Sequence, residues 1–335
     1  MSLYKAETRR LVKRRFTRWL VIGSLFALAA VAVGTAVTNS KVGPEQIAAA
    51  QAEAERYYQE SVRYAEQDRL RCEAAKGTPE AGQYPADCGQ MYTPSREDYG
   101  YQGYMTPTFD FREEFGNMVV TLAAILALAA FVIGASYVGA EWSTGGMMNL
   151  LLWRPKRLQV LTTKLLALLV SLAVLTVLTA VAWTGAFALI ANLRGSLDSM
   201  TSGAWQSFAL MELRALGLVL AAGAIGFGIA SLGRHTALAL GAVVGLLVVF
   251  QFGLVTVLSM AEVKFAEAWL LPIWVMAWMS KTVTIEDFNS CNYSADGCRP
   301  DQLTLTWPMA GGAMVVAVVL VVGTALWTMR SRDIT

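Results

Sequence analysis

The sequence has 335 residues, of which 55% are hydrophobic and only 16% are charged, whereas about a quarter of a soluble globular domain is charged. The charges are clustered and the apolar residues come in long blocks, so a soluble globule, a fibrous repeat and a disordered chain are excluded. The net charge of +2 does not indicate nucleic-acid binding, because the positive charge is local. One histidine and four cysteines argue against a metal site of the usual His- and Cys-rich kind.

The first 18 residues predict a cytoplasmic amphipathic helix lying in the membrane interface. They hold seven Lys and Arg residues, most of them off an apolar stripe, as is typical of interfacial helices. The stripe consists of Leu11, Val12, Phe16, Trp19 and Leu20. The apolar block that follows is longer than the roughly 7–15 residues of a cleaved signal peptide, and it predicts a signal anchor.

Six apolar blocks reach the length of roughly 18 residues that predicts a transmembrane helix. Each must be helical, because hydrocarbon offers the backbone polar groups no other partner. The blocks are residues 19–38, 116–139, 158–190, 215–231, 236–258 and 307–327. The predicted fold class is therefore an all-α integral membrane protein with six transmembrane helices.

Lys and Arg residues near the spans predict the orientation of the chain. Arg154, Lys156 and Arg157 follow the second span, and Arg330 and Arg332 lie in the tail 328–335. Between the first two spans, residues 39–115 carry eight Lys and Arg against fourteen Asp and Glu. We therefore expect both termini to be cytoplasmic, segments 39–115 and 259–306 to be extracytoplasmic, and the chain to be a multi-pass protein of the cell (plasma) membrane.

The four cysteines agree with this topology. Cys72 and Cys88 fall in the first outside segment and Cys291 and Cys298 in the last, where an oxidising compartment lets disulfides persist. Four cysteines allow three connectivities, and we favour the local pairs 72–88 and 291–298.

The two outside segments differ in character. From residue 44 to about 75 the composition predicts one helix, and residues 77–108, rich in Gly, Pro, Tyr and Asp, predict irregular structure. Residues 268–279 are apolar but too short to cross a bilayer, which indicates a re-entrant or interfacial helix, broken by Pro272.

Several chemistries have no signature in the sequence. No Gly-rich loop of the G-x-x-x-x-G-K-Ser/Thr type occurs, so we expect no nucleotide site and no enzymatic activity in this chain. His235 stands alone beside Arg234 in a short cytoplasmic loop, and the spans offer no nucleophile–base pair. Only Gln251 is polar and deep in a span, which gives ion-coupled transport little support.

The loop 140–157, between the second and third spans, carries the most informative pattern. An acid, two glycines and a short apolar helix of about two turns come before a proline, a basic cluster and a further lysine. Such a helix at the inner membrane surface is well placed to press on a cytoplasmic partner. The residues concerned are Glu141, Gly145, Gly146, Met147, Leu150, Leu151, Leu152, Trp153, Arg154, Pro155, Arg157 and Lys164.

This segment resembles the signature of the type-2 ABC exporter permeases. The matching elements are Glu141, Gly146, Leu150–Leu152, Pro155, Arg157 and Lys164, with Met147 where the family has Thr. The six-span layout, the amphipathic first helix and the apolar element before the last span extend the resemblance over most of the chain.

The resemblance implies half of a membrane channel, paired with a second permease copy and two ATPase subunits that bind the ATP and Mg²⁺. Residues 141–153 would form the coupling helix and its approach, and Arg234 and His235 a smaller second contact. The element 268–279 would form an outer gate, with Trp269, Pro272, Trp274 and Trp278 as its characteristic residues. The expected function is export of an amphipathic or lipid-like compound.

Two other readings remain open. The chain could be a non-transporting membrane scaffold or sensor with residues 39–115 as its receptor domain, or it could be an ion-coupled carrier. Co-purification of an ATPase separates the exporter from both.

Overall fold

The computed structural model describes residues 3–85, 87–153, 156–245, 249, 253–294 and 297–331. Helices dominate these ranges. They are α1 (Leu3–Lys13), α2 (Arg15–Thr38), α3 (Pro44–Ala75), α4 (Phe111–Ser143), α5 (Gly146–Trp153), α6 (Arg157–Arg194), α7 (Ser202–Gly233), α8 (Thr236–Gly245), α9 (Val255–Met260), α10 (Leu271–Ser280) and α11 (Trp307–Ser331). The strands are β1 (Phe109–Asp110), β2 (Gly195–Ser196), β3 (Thr282–Ser294) and β4 (Gly297–Thr306).

Five helices of the described ranges, α2, α4, α6, α7 and α11, are long and apolar enough to cross a membrane. Each contains one of the predicted spans and extends beyond it at one or both ends. The remaining predicted span, 236–258, begins as α8 and ends within α9. Part of its middle, including Gln251, lies outside the described residues.

The chain divides into two compact units. Residues 1–32, 112–187 and 200–335 form the first, which we call the membrane unit. Residues 33–111 and 188–199 form the second, the inserted unit. Residues 39–111 of the predicted extracytoplasmic segment 39–115 belong to the inserted unit, whereas the predicted extracytoplasmic segment 259–306 belongs to the membrane unit.

Glycines let the helices of the membrane unit approach backbone to backbone. A Cβ on Gly134 of α4 would lie 2.3 Å from the Gly223 carbonyl oxygen of α7, and one on Gly226 would lie 2.2 Å from the Phe131 carbonyl oxygen. Gly228 is similarly close to Val321 of α11. Small residues permit such close helix packing in membranes. In α7, the small residues Ala222, Gly226 and Ala230 are spaced by four residues. Gly226 packs against α4 of the same chain.

The segment before α11 contains an antiparallel strand pair that sequence reasoning missed. β3 pairs with β4 from Thr282 opposite Thr306 to Ser294 opposite Gly297, with an irregularity between Asp287 and Asn292. Apolar residues of the pair, of α10 and of α11 form a small core: Ala277, Ile285, Leu305 and Ala310, with Phe265, Ala268, Ile273, Trp274, Trp278 and Val283 around them. The sequence predicted a helix for residues 268–279 and gave no prediction for the residues that form the strand pair.

The inserted unit is built on α3, which spans Pro44–Ala75 as predicted. Short 3₁₀ turns between residues 79 and 104 replace the expected irregular structure and fold back along the helix. Tyr104 stacks on Tyr57 with ring centroids 5.2 Å apart, and Arg96 lies 3.1 Å from the Glu55 carboxylate. Tyr57 and Tyr104 thus pack against each other within the unit.

A disulfide joins Cys72 at the end of α3 to Cys88 in the second of these turns. The predicted pairing 72–88 is therefore present. The side chains of Cys291 and Cys298 lie outside the described residues, so the pair 291–298 stays a prediction.

We expect removal of the 72–88 bridge to loosen the inserted unit without disturbing the membrane unit. The bridge joins residues 16 apart in sequence, and closing a loop of this length contributes about 3 kcal/mol through the entropy of the unfolded chain. Limited proteolysis of the Cys72→Ser/Cys88→Ser variant should cleave faster within residues 44–108. Reduction of the wild-type chain should reproduce that pattern, and equal cleavage rates in all samples would contradict the expectation.

Candidate functional site: a buried ionic cluster beside a short helix

The short helix predicted after the second span is present as α5 (Gly146–Trp153). α4 ends at Ser143, and Gly145 makes the turn with a φ of +72°, a conformation that glycine adopts without the steric cost of a Cβ. The amide of Asn149 donates to the Gly145 carbonyl oxygen at 3.2 Å. The glycine therefore ends one helix and permits the next to begin within three residues.

α5 presents one face inward and one outward. Met147 is fully buried and attaches the helix to the rest of the unit, whereas Leu152 is 81% exposed. Gly146 and Leu150 are half-buried. Arg157, the last residue of the predicted motif before Lys164, is the first residue of α6. Arg154 and Pro155, and the side chains of Leu151 and Trp153, lie outside the described residues.

A buried ionic cluster lies where α1, α4 and α6 meet. Lys164 of α6 is completely buried, and its Nζ lies 2.6 Å from Glu7 Oε2 of α1 and 2.7 Å from Glu141 Oε2 of α4. The Tyr137 hydroxyl donates to the same Glu7 oxygen at 2.7 Å. One ammonium group thus joins carboxylates from two other helices. Replacing one member of such a buried group leaves uncompensated charge in a medium of low dielectric.

Arg14, between α1 and α2, forms a second link between the N-terminal segment and α4. Its Nη1 donates to the Ser136 carbonyl oxygen at 2.6 Å. Burial lowers the pKa of the Arg14 guanidinium, and the nearby Glu141 carboxylate opposes this effect. α1 is therefore fixed to α4 at its middle by the ionic cluster, through Glu7, and just after its C-terminal end by the charge-assisted hydrogen bond of Arg14.

Sequence reasoning connected Glu141 and Lys164 only through the family motif, and it missed Glu7, Arg14 and Tyr137. The interfacial-helix prediction placed the apolar stripe of the first residues in the membrane interface and identified no face of α1 that packs inside the protein. Of that stripe, Leu11 is buried, whereas Val12, Phe16 and Trp19 are exposed and so remain accessible to a membrane. A signal was available, because Glu7 is the only acid among the first 44 residues and lies in a strongly basic segment.

The loop with Arg234 and His235 lies against the same end of α4. The Arg234 guanidinium is 5.2 Å from the centre of the Trp142 ring, a cation–π distance, and Arg234 ends α7 in a left-handed conformation. His235 is exposed. Gly139 allows the Thr236 backbone to approach, since a Cβ there would lie 2.6 Å from the Thr236 nitrogen. The two predicted contact loops are therefore neighbours.

The predicted outer-gate element is the helix α10, which begins at Leu271. Pro272 lies in its first turn, where a missing N–H costs nothing, so the expectation that Pro272 breaks this helix was wrong. Trp278 Nε1 donates to the Arg214 carbonyl oxygen of α7, and Arg214 Nη1 donates to the Met279 carbonyl oxygen, both at 2.8 Å. This reciprocal pair holds α10 to α7.

The other two gate tryptophans differ in their surroundings. Trp274 donates from its Nε1 to the Ala268 carbonyl oxygen at 2.8 Å and fixes the turn before α10. Trp269 lies in that turn and is largely exposed. An exposed tryptophan beside an anchored apolar helix suits a membrane interface, where aromatic side chains are enriched.

The long apolar helices define the class, a helical multi-pass membrane protein. The family model described as ABC-2 family transporter protein matches residues 1–331. The chain belongs to this family, and it is a permease component that spans the membrane. No curated protein matches the sequence.

Proposed function

We propose that this chain is the permease subunit of an ATP-driven exporter, in which α5 is received by a separate ATPase subunit. Two ATPase copies and a second permease would complete the transporter in the cell membrane, with both termini of this chain cytoplasmic. An amphipathic or lipid-like compound is the proposed substrate. ATP and Mg²⁺ would be bound by the ATPases alone.

The proposal is supported chiefly by the connection between α4 and α5, which has an ion-paired residue before its turn and an exposed apolar side chain after it. On one side of the Gly145 turn, Glu141 is held in the ionic cluster with Lys164. On the other side, the exposed Leu152 gives α5 an apolar outer face. Exposed apolar side chains on an anchored short helix are suited to a pocket on a partner protein.

The ionic cluster would transmit movement of α5 to the spans. A partner that displaces α5 pulls on α4 through a turn of two residues, and Glu141 shares Lys164 with Glu7. α1, α4 and α6 would therefore move together. ATP binding would favour one arrangement of the helices over another, which is a shift of population between two states. At the other end of α7, the Arg214–Trp278 pair would carry the change to α10 as an outer gate.

We expect Leu152→Asp to uncouple the transporter while leaving the fold intact. The side chain is 81% exposed, so a charge there is tolerated in the free chain, but it would be placed in the apolar pocket of the ATPase. Loss of such an interfacial anchor costs about 2 kcal/mol or more, which is roughly thirtyfold in affinity. The measurement is capture of the ATPase by the purified permease, together with ATP-dependent transport in proteoliposomes.

Leu70→Asp in α3 is the matched control, because Leu70 is also exposed, at 55%, and belongs to the inserted unit. It should leave ATPase capture unchanged. Transport by the purified chain without any ATPase would refute the proposal. A chain that reaches the membrane but captures no ATPase would instead favour the scaffold or sensor function.

A further inference from the structure

α1 has an exposed face that is almost entirely cationic. Glu7 and Leu11 are buried, whereas the basic side chains between residues 5 and 18, apart from the half-buried Arg14, are exposed: Lys5, Arg9, Arg10, Lys13, Arg15 and Arg18. Lys5, Arg9 and Lys13 are spaced by four residues and lie along one side of the helix, over about 12 Å.

Glu7, the acid nearest in sequence to these cations, is buried away from the exposed face. Its Oε2 is 2.6 Å from Lys164, and only Arg10 among the exposed cations reaches it, at 3.6 Å. No other acid occurs before Glu45. The single acid among residues 1–44 therefore pairs mainly with Lys164 inside the protein.

Exposed apolar side chains adjoin the cations. Val12, Phe16 and Trp19 are exposed, Trp19 to 71%, and only Arg14 separates α1 from the apolar helix α2. Cations next to a tryptophan at the start of a membrane span are suited to the headgroup region, where the rings insert and the charges meet phosphates. An acidic protein surface would not need the apolar side chains.

We infer that the exposed face of residues 5–18 binds the headgroups of anionic phospholipids. The phosphodiester groups would pair with the Arg and Lys side chains, while Phe16 and Trp19 enter the acyl boundary. Since Glu7 connects this helix to Glu141 through Lys164, bound anionic lipid would also hold the ionic cluster in place beside α5. That last consequence rests on the proposed function, whereas the lipid binding does not.

The test compares association of spin-labelled phosphatidylglycerol and phosphatidylcholine with the purified full chain in bilayers, by electron paramagnetic resonance. At low ionic strength we expect phosphatidylglycerol to be preferred by about fivefold or more, since one Lys or Arg near an anionic surface accounts for roughly fivefold. The preference should decrease in high salt because screening shortens the reach of the charges. The variant Arg9→Gln/Lys13→Gln/Arg15→Gln should lower it at least about fivefold, while Lys5, Arg10 and Arg18 account for the part that remains.

A control variant removes the same charge elsewhere. Arg63→Gln/Arg69→Gln/Arg71→Gln changes three exposed arginines of α3, two of which pair with Glu66 and Asp68, and it should leave the preference unchanged. Arg9→Lys/Arg15→Lys should retain it as well. An unchanged preference in the Gln variant of α1 would overturn the inference. So would a variant that keeps the lipid preference but loses ATPase capture, which would assign the face to the partner protein.

These readouts separate the lipid site from the proposed function. Lipid association is measured on the permease alone, and it can hold even if no ATPase binds α5. Conversely, ATPase capture that depends on Leu152, with no lipid preference, would retain the exporter and reject the lipid site.

Discussion

Lys164→Met should be among the most destabilising single substitutions in the membrane unit. The change removes the ammonium group that lies 2.6 Å from the Glu7 carboxylate and 2.7 Å from that of Glu141. The buried Glu7 carboxylate and the partly buried Glu141 carboxylate would then lack their shared cation. Removal of one partner from a buried ion pair costs about 3–5 kcal/mol. We expect a marked fall in the thermal unfolding midpoint of the detergent-purified chain.

Lys264→Met is the matched control. Lys264 lies 2.8 Å from Asp301, so its ion pair is nearly as short as those of Lys164, but both side chains are more than half exposed. Exposed pairs contribute at most about 1 kcal/mol, and the midpoint should hardly change. Lys164→Met/Glu7→Gln should recover part of the loss, because it removes one of the stranded charges. Equal midpoints for Lys164→Met and the wild type would show that the cluster does not stabilise the unit.

The second large effect is expected from Gly226→Ala. The added Cβ would lie 2.2 Å from the Phe131 carbonyl oxygen, and a backbone atom cannot move aside as a flexible side chain can. α4 and α7 would have to move apart. This movement would also disrupt the equally close contact between Gly134 and Gly223, one turn away. Overpacking costs about 1–3 kcal/mol in cores that can adjust. We expect a loss at the upper end of that range in the same unfolding measurement.

Gly185→Ala in α6 should stabilise the chain slightly, in contrast to Gly226→Ala. Nothing lies within 4 Å of the Cβ that this substitution adds, and alanine is a better helix former than glycine by about 0.5–1 kcal/mol. The variant should unfold at or slightly above the wild-type midpoint. If Gly226→Ala were as harmless as Gly185→Ala, the close approach of α4 and α7 would not contribute to stability.

Much of the helical framework could be predicted from the sequence, because the signals are local. The apolar blocks define the long helices by length alone. Pro44 and the absence of glycine up to Gly77 define α3, and Gly145 followed by an apolar run defines α5. The family motif also selected Glu141 and Lys164. Each of these features is encoded within a few turns of the chain.

What could not be predicted depends on partners distant in sequence. Glu7 and Lys164 are 157 residues apart, and no local pattern shows which face of α1 will be buried. The strand pair was missed although its sequence carries a local signal. Val283 and Ile285 alternate with polar residues, as do Leu303 and Leu305. Only the apolar, tryptophan-rich helix that comes before them was predicted. Pro272 was misread because a proline in a first turn and one in a helix interior look alike without the helix boundary.

The ionic cluster also has a consequence for biogenesis. Glu7 leaves the ribosome early, but Lys164 follows only after 157 further residues, which takes about 8–30 s at 5–20 residues per second. During that interval the carboxylate lacks its cationic partner, although Tyr137, which donates to it, is synthesised earlier, and α1 can stay hydrated at the membrane surface. The inserted segment has already left the ribosome when α6 arrives. The ionic cluster that fixes the first helix can therefore form only once synthesis has passed Lys164, near the start of the third predicted span.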